Sequence, residues 1–127
     1  MKRILITGSR TWPEPRQVEA AIMMWVSANV PEGETSIVVH GDCPKGADYF
    51  AKRFALNQWW LEHEAHPADW EGRGKSAGFD RNREMVELGA DVCLAFIHNK
   101  SKGATNTAEL AEAAGIPTRR IEIDDEQ

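Results

Sequence analysis

Short apolar runs alternate with amphipathic segments along the whole chain. Runs rich in Ile, Val and Leu occupy positions 3–7, 36–40 and 91–97, and each is followed by a small polar loop. Shorter strand-like segments lie at 61–66 and 118–123. Between these segments, apolar residues recur at spacings of three and four, which is typical of one face of a helix. Strand and helix signals that alternate in this way predict a parallel sheet covered by helices on both faces.

Four helices are predicted between the strands. They extend from about Glu14 to Asn29, from 46 to 58, from Phe79 to Leu88 and from Asn106 to Gly115. The segments Thr11-Trp12-Pro13-Glu14 and Asn106-Thr107-Ala108-Glu109 have the form of a capping box, which predicts that helices start there. Right-handed crossovers favour the strand order 3-2-1-4-5. The sequence therefore predicts an α/β fold, a single Rossmann-like domain over residues 1–127 with a five-stranded parallel sheet.

The composition agrees with one globular domain. Of the 127 residues, 42% are hydrophobic and 28% are charged, and the mean hydropathy is −0.48. No apolar run approaches the roughly 18–20 residues of a membrane span, and the apolar stretch after Met1-Lys2-Arg3 is shorter than the about 7–15 residues of a signal-peptide core. We therefore expect a cytoplasmic protein that has no membrane partner.

The charge distribution bears on the kind of partner. The formal net charge is −5, which opposes non-specific binding to nucleic acid, because such binding depends on broad neutralisation of phosphates by Lys and Arg. Against this background, basic residues crowd into one short segment, namely Arg73, Lys75, Arg81 and Arg83. The segment indicates either a pocket for a single anion or a solvated basic face of a helix.

Loops that contain glycine follow three of the predicted strands. In open α/β sheets, ligands bind at the C-terminal edge of the strands, and the helix starts behind these loops carry partial positive charge that suits a phosphate. The candidate ligand-binding residues in these loops are Gly8, Ser9, Arg10, Gly41, Lys45, Gly46, Asp48, Ser101, Gly103, Ala104, Thr105 and Thr107. The pattern predicts a site for a small molecule that carries phosphate.

Several candidate residues have a definite chemical use. Gly8 allows close approach of the backbone to a ligand, and Arg10 can form a bidentate pair with a phosphate. Asp48 either accepts a hydrogen bond from a sugar hydroxyl or caps the helix that begins near it. Arg81 and Asn82 follow a glycine-rich segment and suit a phosphate clamp and a base or ribose edge, respectively.

Aromatic and metal-binding side chains give weaker signals. Trp12 and Trp70 either stack on a base or are buried against the sheet edge. His63 and His66 have HxxH spacing, but on a strand that spacing places them on opposite faces, which argues against a metal pair. The two cysteines lack CxxC spacing, so no zinc site or disulfide is predicted. We expect no cofactor, except that Mg²⁺ could accompany a bound polyphosphate.

An ordered set of short motifs extends over residues 4–118. It comprises Gly8-Ser9-Arg10 with Trp12, Val39-His40-Gly41, Lys45-Gly46-Ala47-Asp48, Pro67-Ala68-Asp69-Trp70, Gly74-Lys75-Ser76-Ala77-Gly78, Arg81-Asn82 and Met85. This set resembles the YspA-type branch of the SLOG superfamily, which includes the LOG phosphoribohydrolases and the DprA-type Rossmann domains. The resemblance implies a Rossmann-like fold and a nucleotide-type ligand, but no settled reaction.

One departure from the LOG enzymes concerns catalysis. Those enzymes carry a Pro-Gly-Gly-x-Gly-Thr-x-x-Glu motif after the fourth strand, and aligning Gly103 with its last glycine places Ala104 at the threonine and Thr107 at the catalytic glutamate. We therefore expect a module that binds a nucleotide or nucleotide-derived phosphate ligand, for sensing or sequestration. The alternative is a hydrolase of such a ligand that uses Glu84 or Glu109. A DprA-like DNA-binding role is disfavoured by the charge, and a homo-oligomer is compatible with the sequence.

Overall fold

One parallel sheet of five strands forms the centre of the computed structural model, which describes residues 1–125. The strands are β1 (Lys2–Gly8), β2 (Ser36–His40), β3 (Leu61–Ala65), β4 (Val92–His98) and β5 (Thr118–Ile123). They are ordered β3-β2-β1-β4-β5, and every neighbouring pair is parallel. The predicted fold class and strand order are confirmed.

Helices connect successive strands. They are α1 (Pro15–Asn29), α2 (Ala47–Leu56), α3 (Trp70–Arg73), α4 (Ala77–Glu87) and α5 (Lys102–Ala113), with a 3₁₀ turn over Gly74–Ser76. The short α3 and the 3₁₀ turn lie in the glycine-rich segment 67–78, for which no element is predicted. None of the helices in residues 1–125 is long and apolar enough to cross a membrane.

The core lies in two layers because side chains alternate across each strand. Ile4 and Ile6 of β1 pack in a cluster with residues of α1 and α2, whereas Leu5 packs with residues of α4 and α5. All seven residues of β4 are buried. Burial on both faces explains why the central strands are apolar throughout rather than alternating in polarity.

Both predicted capping boxes are wrong. No side chain caps α1, whose N-cap residue is Glu14, and Thr11 instead contacts His98. Helix α5 begins at Lys102, so Asn106 lies inside the helix. The reason is tertiary packing, because Ala104 already belongs to the stripe of buried residues on α5. A local start signal is overridden when an earlier turn also buries apolar surface.

Candidate ligand site

A cavity of about 380 Å³ lies at the C-terminal edge of the sheet, between the loop after β1, helix α4 and the start of α5. Pockets for small molecules usually have volumes of about 300–1,000 Å³. The sequence-predicted residues that line it are Gly8, Ser9, Arg10, Asp48, Arg81, Asn82, Ser101, Gly103 and Ala104. Gly41, Lys45, Gly46, Thr105 and Thr107 do not line it. The three predicted loops therefore meet at one cavity, although five of their candidate residues lie outside its lining.

Ser9 joins the loop after β1 to the end of β4. Its backbone N–H donates to the carbonyl of Phe96 at 2.9 Å, and its Oγ accepts from the backbone N–H of His98 at 2.9 Å. The side chain is buried. Ser9 thus fixes the shape of the cavity wall through backbone contacts.

Gly8 and Gly46 allow close packing of α2 against this loop. A Cβ on Gly8 would collide with the Cβ of Ala47, and a Cβ on Gly46 would collide with the carbonyl oxygen of Ser9. Gly46 also has a φ of +81°, a conformation that favours glycine. Both glycines are therefore explained by the packing of α2, whereas Lys45 is exposed.

Asp48 is a buried carboxylate in the cavity wall. Its Oδ2 accepts a hydrogen bond from the backbone N–H of Gly41 at 3.2 Å, and its Oδ1 has no hydrogen-bond partner among the described residues. It does not cap α2, whose N-cap residue is Gly46. Burial raises the pKa of Asp48, while a hydrogen bond from Cys43 and the charge of Arg81 oppose that rise. Oδ1 is therefore a buried acceptor in a residue that lines the cavity.

The guanidinium of Arg81 is held at the cavity by protein contacts. Its Nη1 donates to the carbonyl oxygens of Gly41 and of His66, the latter at 3.3 Å, and its Nε donates to Oδ1 of Asn82 at 2.8 Å. A Cβ on Gly41 would lie 2.5 Å from Nη1 of Arg81. Gly41 therefore contributes to the site indirectly, by leaving room for this arginine.

The basic segment divides between the cavity and the surface. Arg73 pairs with Glu84 at 2.6 Å, and Arg83 lies 3.8 Å from Asp80. Of that segment, Lys75 and Arg81 line the cavity. Lys75 and Arg81 thus fit the prediction of an anion pocket, whereas Arg73 and Arg83 fit that of a solvated basic face.

The two tryptophans in the loops have different environments. Trp12 is buried and packs edge-on against Phe96, with ring centroids 5.4 Å apart. Trp70 is 50% exposed and lines the cavity, with Cζ of Arg10 lying 5.7 Å from the ring centroid. Trp70 is therefore the one that a ligand base could stack on.

The start of α5 supplies backbone donors to the cavity, because the first N–H groups of a helix have no partner within it. Ser101, Gly103 and Ala104 line the cavity at this point. The hydroxyls of Thr105 and Thr107 instead donate within the helix, to the carbonyls of Ser101 at 2.7 Å and Gly103 at 3.2 Å. The geometry suits an anion held by backbone rather than by threonine side chains.

The acids nominated from the sequence lie outside the cavity. Glu84 pairs with Arg73, and Glu109 is exposed on α5. Within residues 1–125, Asp48 is the carboxylate that lines the cavity. The thiol of Cys43 lines it as well, and burial followed by the charge of Asp48 raises the pKa of that thiol.

The histidines of the HxxH segment have separate partners. His63 Nδ1 lies 3.0 Å from Nε2 of the buried His40, and His66 Nε2 lies 2.7 Å from a carboxylate oxygen of Glu64. No group of three or more His, Cys, Asp or Glu residues within the described part of the chain is arranged to hold a metal ion.

Several lining residues are not among the candidate ligand-binding residues predicted from the sequence, although Gly78 and Met85 belong to the motif set described above. These lining residues are Ile6, Thr7, Thr11, Cys43, Gly78, Phe79 and Met85. Thr11 follows Arg10 directly, so extending the first loop by one residue could have included it. The apolar members come from a strand and a helix whose periodicity indicates only burial.

Comparisons with known proteins identify the family of the chain. Residues 2–72 match a family described as the YspA, cpYpsA-related SLOG family. The Gene 61 protein of Mycobacterium phage D29 is 44% identical over 124 residues, which cover 92% of this chain and 94% of that protein. No solved structure matches the chain at a significant level. The chain belongs to the YspA, cpYpsA-related SLOG family.

Proposed function

We propose that this protein binds a nucleotide or nucleotide-derived phosphate ligand in the cavity and acts as a sensor or sequestering module. The observation that carries the proposal is Oδ1 of Asp48, a buried carboxylate oxygen that has no hydrogen-bond partner within residues 1–125 and belongs to a residue that lines the cavity. An unsatisfied buried polar atom costs about 1–3 kcal/mol. A sugar hydroxyl or a base amino group donates the hydrogen bond that removes this cost.

The basic side chains that line the cavity support the binding of a phosphate group. Arg10, Lys75 and Arg81 line it together with the start of α5. The guanidinium of Arg10 can pair with phosphate oxygens in two parallel hydrogen bonds. Arg81 adds positive charge while its Nη1 and Nε donate to the protein, and the helix start adds N–H donors. Trp70 offers an aromatic face, which is the third element that a nucleotide requires. Membership of a SLOG family points to the same class of ligand.

Binding is favoured over LOG-type glycosidic cleavage. Thr107, which takes the place of the LOG glutamate, is fully buried and hydrogen-bonded to Gly103. General acid–base work on a glycosidic bond needs an acid within reach of the sugar. Glu84 and Glu109 lie outside the cavity, and Asp48, the carboxylate that lines it, is buried in the wall and accepts a hydrogen bond from the backbone N–H of Gly41.

The test is calorimetric titration with AMP, CMP, ADP and CDP, together with mass spectrometry of any small molecule that copurifies with the protein. Asp48→Asn should weaken nucleotide binding, because it removes the charge and one acceptor from the wall. Glu109→Gln is the matched control, an exposed acid on α5 whose replacement should leave affinity unchanged. Failure of all four nucleotides to bind with a Kd below about 1 mM, without a copurified phosphate compound, would contradict the proposal.

A further inference from the structure

Thr11, His98 and Asp125 form a continuous chain of hydrogen bonds that ends in the cavity wall. Oγ1 of Thr11 lies 2.6 Å from Nδ1 of His98, and Nε2 of His98 lies 2.8 Å from Oδ1 of Asp125. The three residues follow or end β1, β4 and β5, so the topology brings them together from three separate parts of the chain. Thr11 is exposed and lines the cavity, whereas His98 is buried.

The carboxylate of Asp125 is positioned by a second residue. Its Oδ2 accepts from Nδ2 of Asn99 at 3.1 Å, and its backbone N–H donates to Oδ1 of Asn99 at 2.8 Å. The hydrogen bonds from His98 and Asn99 lower the pKa of Asp125. An ionised carboxylate only accepts hydrogen bonds, so Nε2 of His98 carries a proton.

With His98 neutral, this arrangement gives the Thr11 hydrogen bond a single direction. In a neutral imidazole with a proton on Nε2, Nδ1 is an acceptor, so the Thr11 hydroxyl donates to it. A hydroxyl bonded to a base, with the base oriented by a third group, is the geometry of an activated nucleophile. The hydrogen bonds between Asp125 and Asn99 are sufficient to attach the segment after β5 to the end of β4. That attachment does not account for the hydrogen bond between His98 and Thr11.

The surroundings of Thr11 select the electrophile. The same cavity is lined by Arg10, Lys75 and the start of α5, which together match the negative oxygens of a phosphoryl group. We propose that Thr11 accepts a phosphoryl group from a phosphoanhydride, with His98 as the proton acceptor and Asp125 as a positioning residue. The inference rests on the phosphate site of the proposed function and adds a reaction to it.

The reaction has two steps. In the first, Oγ1 of Thr11 attacks the terminal phosphorus, an Oγ1–P bond forms, and the bond from phosphorus to the bridging oxygen breaks. The leaving phosphate keeps the electron pair, and the hydroxyl proton moves to Nδ1 of His98, which Asp125 stabilises. The imidazolium releases that proton to solvent. In the second step, water attacks the phosphothreonine, His98 takes a proton from the water, and Oγ1 leaves with that proton. One terminal phosphoanhydride bond and one water therefore give inorganic phosphate and the shortened leaving group, which is pyrophosphate when the substrate is tripolyphosphate.

Inorganic tripolyphosphate is the probe, because it contains phosphoanhydride bonds and no base. Phosphate release and the intact mass of the protein are followed with Mg²⁺ present, and binding is measured separately by calorimetry. We expect phosphate release, or a phosphoryl adduct that peptide mapping places on Thr11. Thr11→Val should abolish both, and Thr11→Ser should retain them.

The remaining variants separate the roles. His98→Asn should slow the reaction by about 10²–10⁴-fold, the usual contribution of a general base. Asp125→Asn should lower kcat while the Kd for tripolyphosphate stays unchanged. Thr118→Val is the matched control, because that hydroxyl donates to the carbonyl of Ile116, away from the cavity. Urea unfolding of each variant checks that it is folded.

The outcomes distinguish this inference from the proposed function. Binding of tripolyphosphate without turnover or adduct would overturn the reaction and leave the binding module standing. Turnover that persists in Thr11→Val would overturn the role of Thr11. If neither nucleotides nor tripolyphosphate bind, the phosphate site is wrong and the reaction falls with it.

Discussion

Arg81 is the residue at which we expect ligand affinity and stability to be lost together. Its position within a basic segment suggests a surface side chain whose removal changes stability little. The structure instead connects it to the carbonyl oxygens of Gly41 and His66 and to the side chain of Asn82. Arg81→Ala removes all of these contacts.

The magnitudes follow from the contacts. The bond to Gly41 is a charge-assisted hydrogen bond, and such bonds contribute about 1.5–3 kcal/mol. The bond to His66 is longer, at 3.3 Å, and contributes less. We therefore expect the free energy of unfolding to fall by about 1.5–3 kcal/mol, and nucleotide affinity to fall about tenfold to a hundredfold.

Urea unfolding and calorimetric titration measure the two effects separately. Arg81→Lys keeps the charge but loses the planar fork, so it should recover part of the affinity and little of the stability. Unchanged unfolding of Arg81→Ala would refute the proposed contacts with the loops. Unchanged nucleotide affinity would show that the guanidinium does not face the ligand.

Further predictions concern the loops, the reaction and the pH dependence. Arg10→Ala should weaken nucleotide binding by about 1.5–3 kcal/mol in calorimetry, because the side chain is exposed at the cavity, while the unfolding free energy stays within about 0.5 kcal/mol. Gly8→Ala should destabilise the fold by about 1–3 kcal/mol in urea unfolding, because the added Cβ collides with α2. Gly103→Ala should stabilise the fold by up to about 1 kcal/mol, because a Cβ there meets nothing within 4 Å. Equal effects of the two substitutions would contradict the packing of α2 against Gly8. Incubation with AMP or CMP should release no free base above background by chromatography, since Thr107 cannot act as a carboxylate; steady release would promote the hydrolase alternative. Burial and the nearby His63 lower the pKa of His40 from 6.5 to about 4. As the pH falls, this histidine is therefore protonated in the unfolded state before it is protonated in the folded state. Stability should therefore decline as the pH falls from 6.5 towards 4, by at most roughly 3 kcal/mol, and His40→Gln should flatten that decline in urea midpoints.

The fold follows from the sequence because its signal is repeated in every strand. Apolar runs of strand length, separated by helical periodicity, leave few alternatives once crossovers must be right-handed. The first residues of the helices are harder to predict from the sequence. Asn106 and Glu109 have capping-box spacing, but buried residues such as Ala104 extend α5 by a turn before Asn106. Local motifs compete with tertiary burial, and here burial decided.

The site was partly predictable for a topological reason. Parallel strands bring their C-terminal ends to one edge, so the loops that follow β1, β2 and β4 had to meet. Which side chains line the cavity depends on three-dimensional packing. Thr107 is fully buried and does not line the cavity, whereas Asp48 does. The contact between Thr11, His98 and Asp125 joins residues 87 and 27 positions apart, and no spacing in the sequence indicates it.

The double attachment of Ser9 to β4 has a consequence for the rate of binding. Because the backbone and side chain of Ser9 both bond to β4, the loop that carries Arg10 is ordered before a ligand arrives. A preorganised wall spares the ligand the conformational entropy of ordering that loop. Association should then be a single step that is linear in ligand concentration, and differences between cavity variants should appear mainly in the dissociation rate.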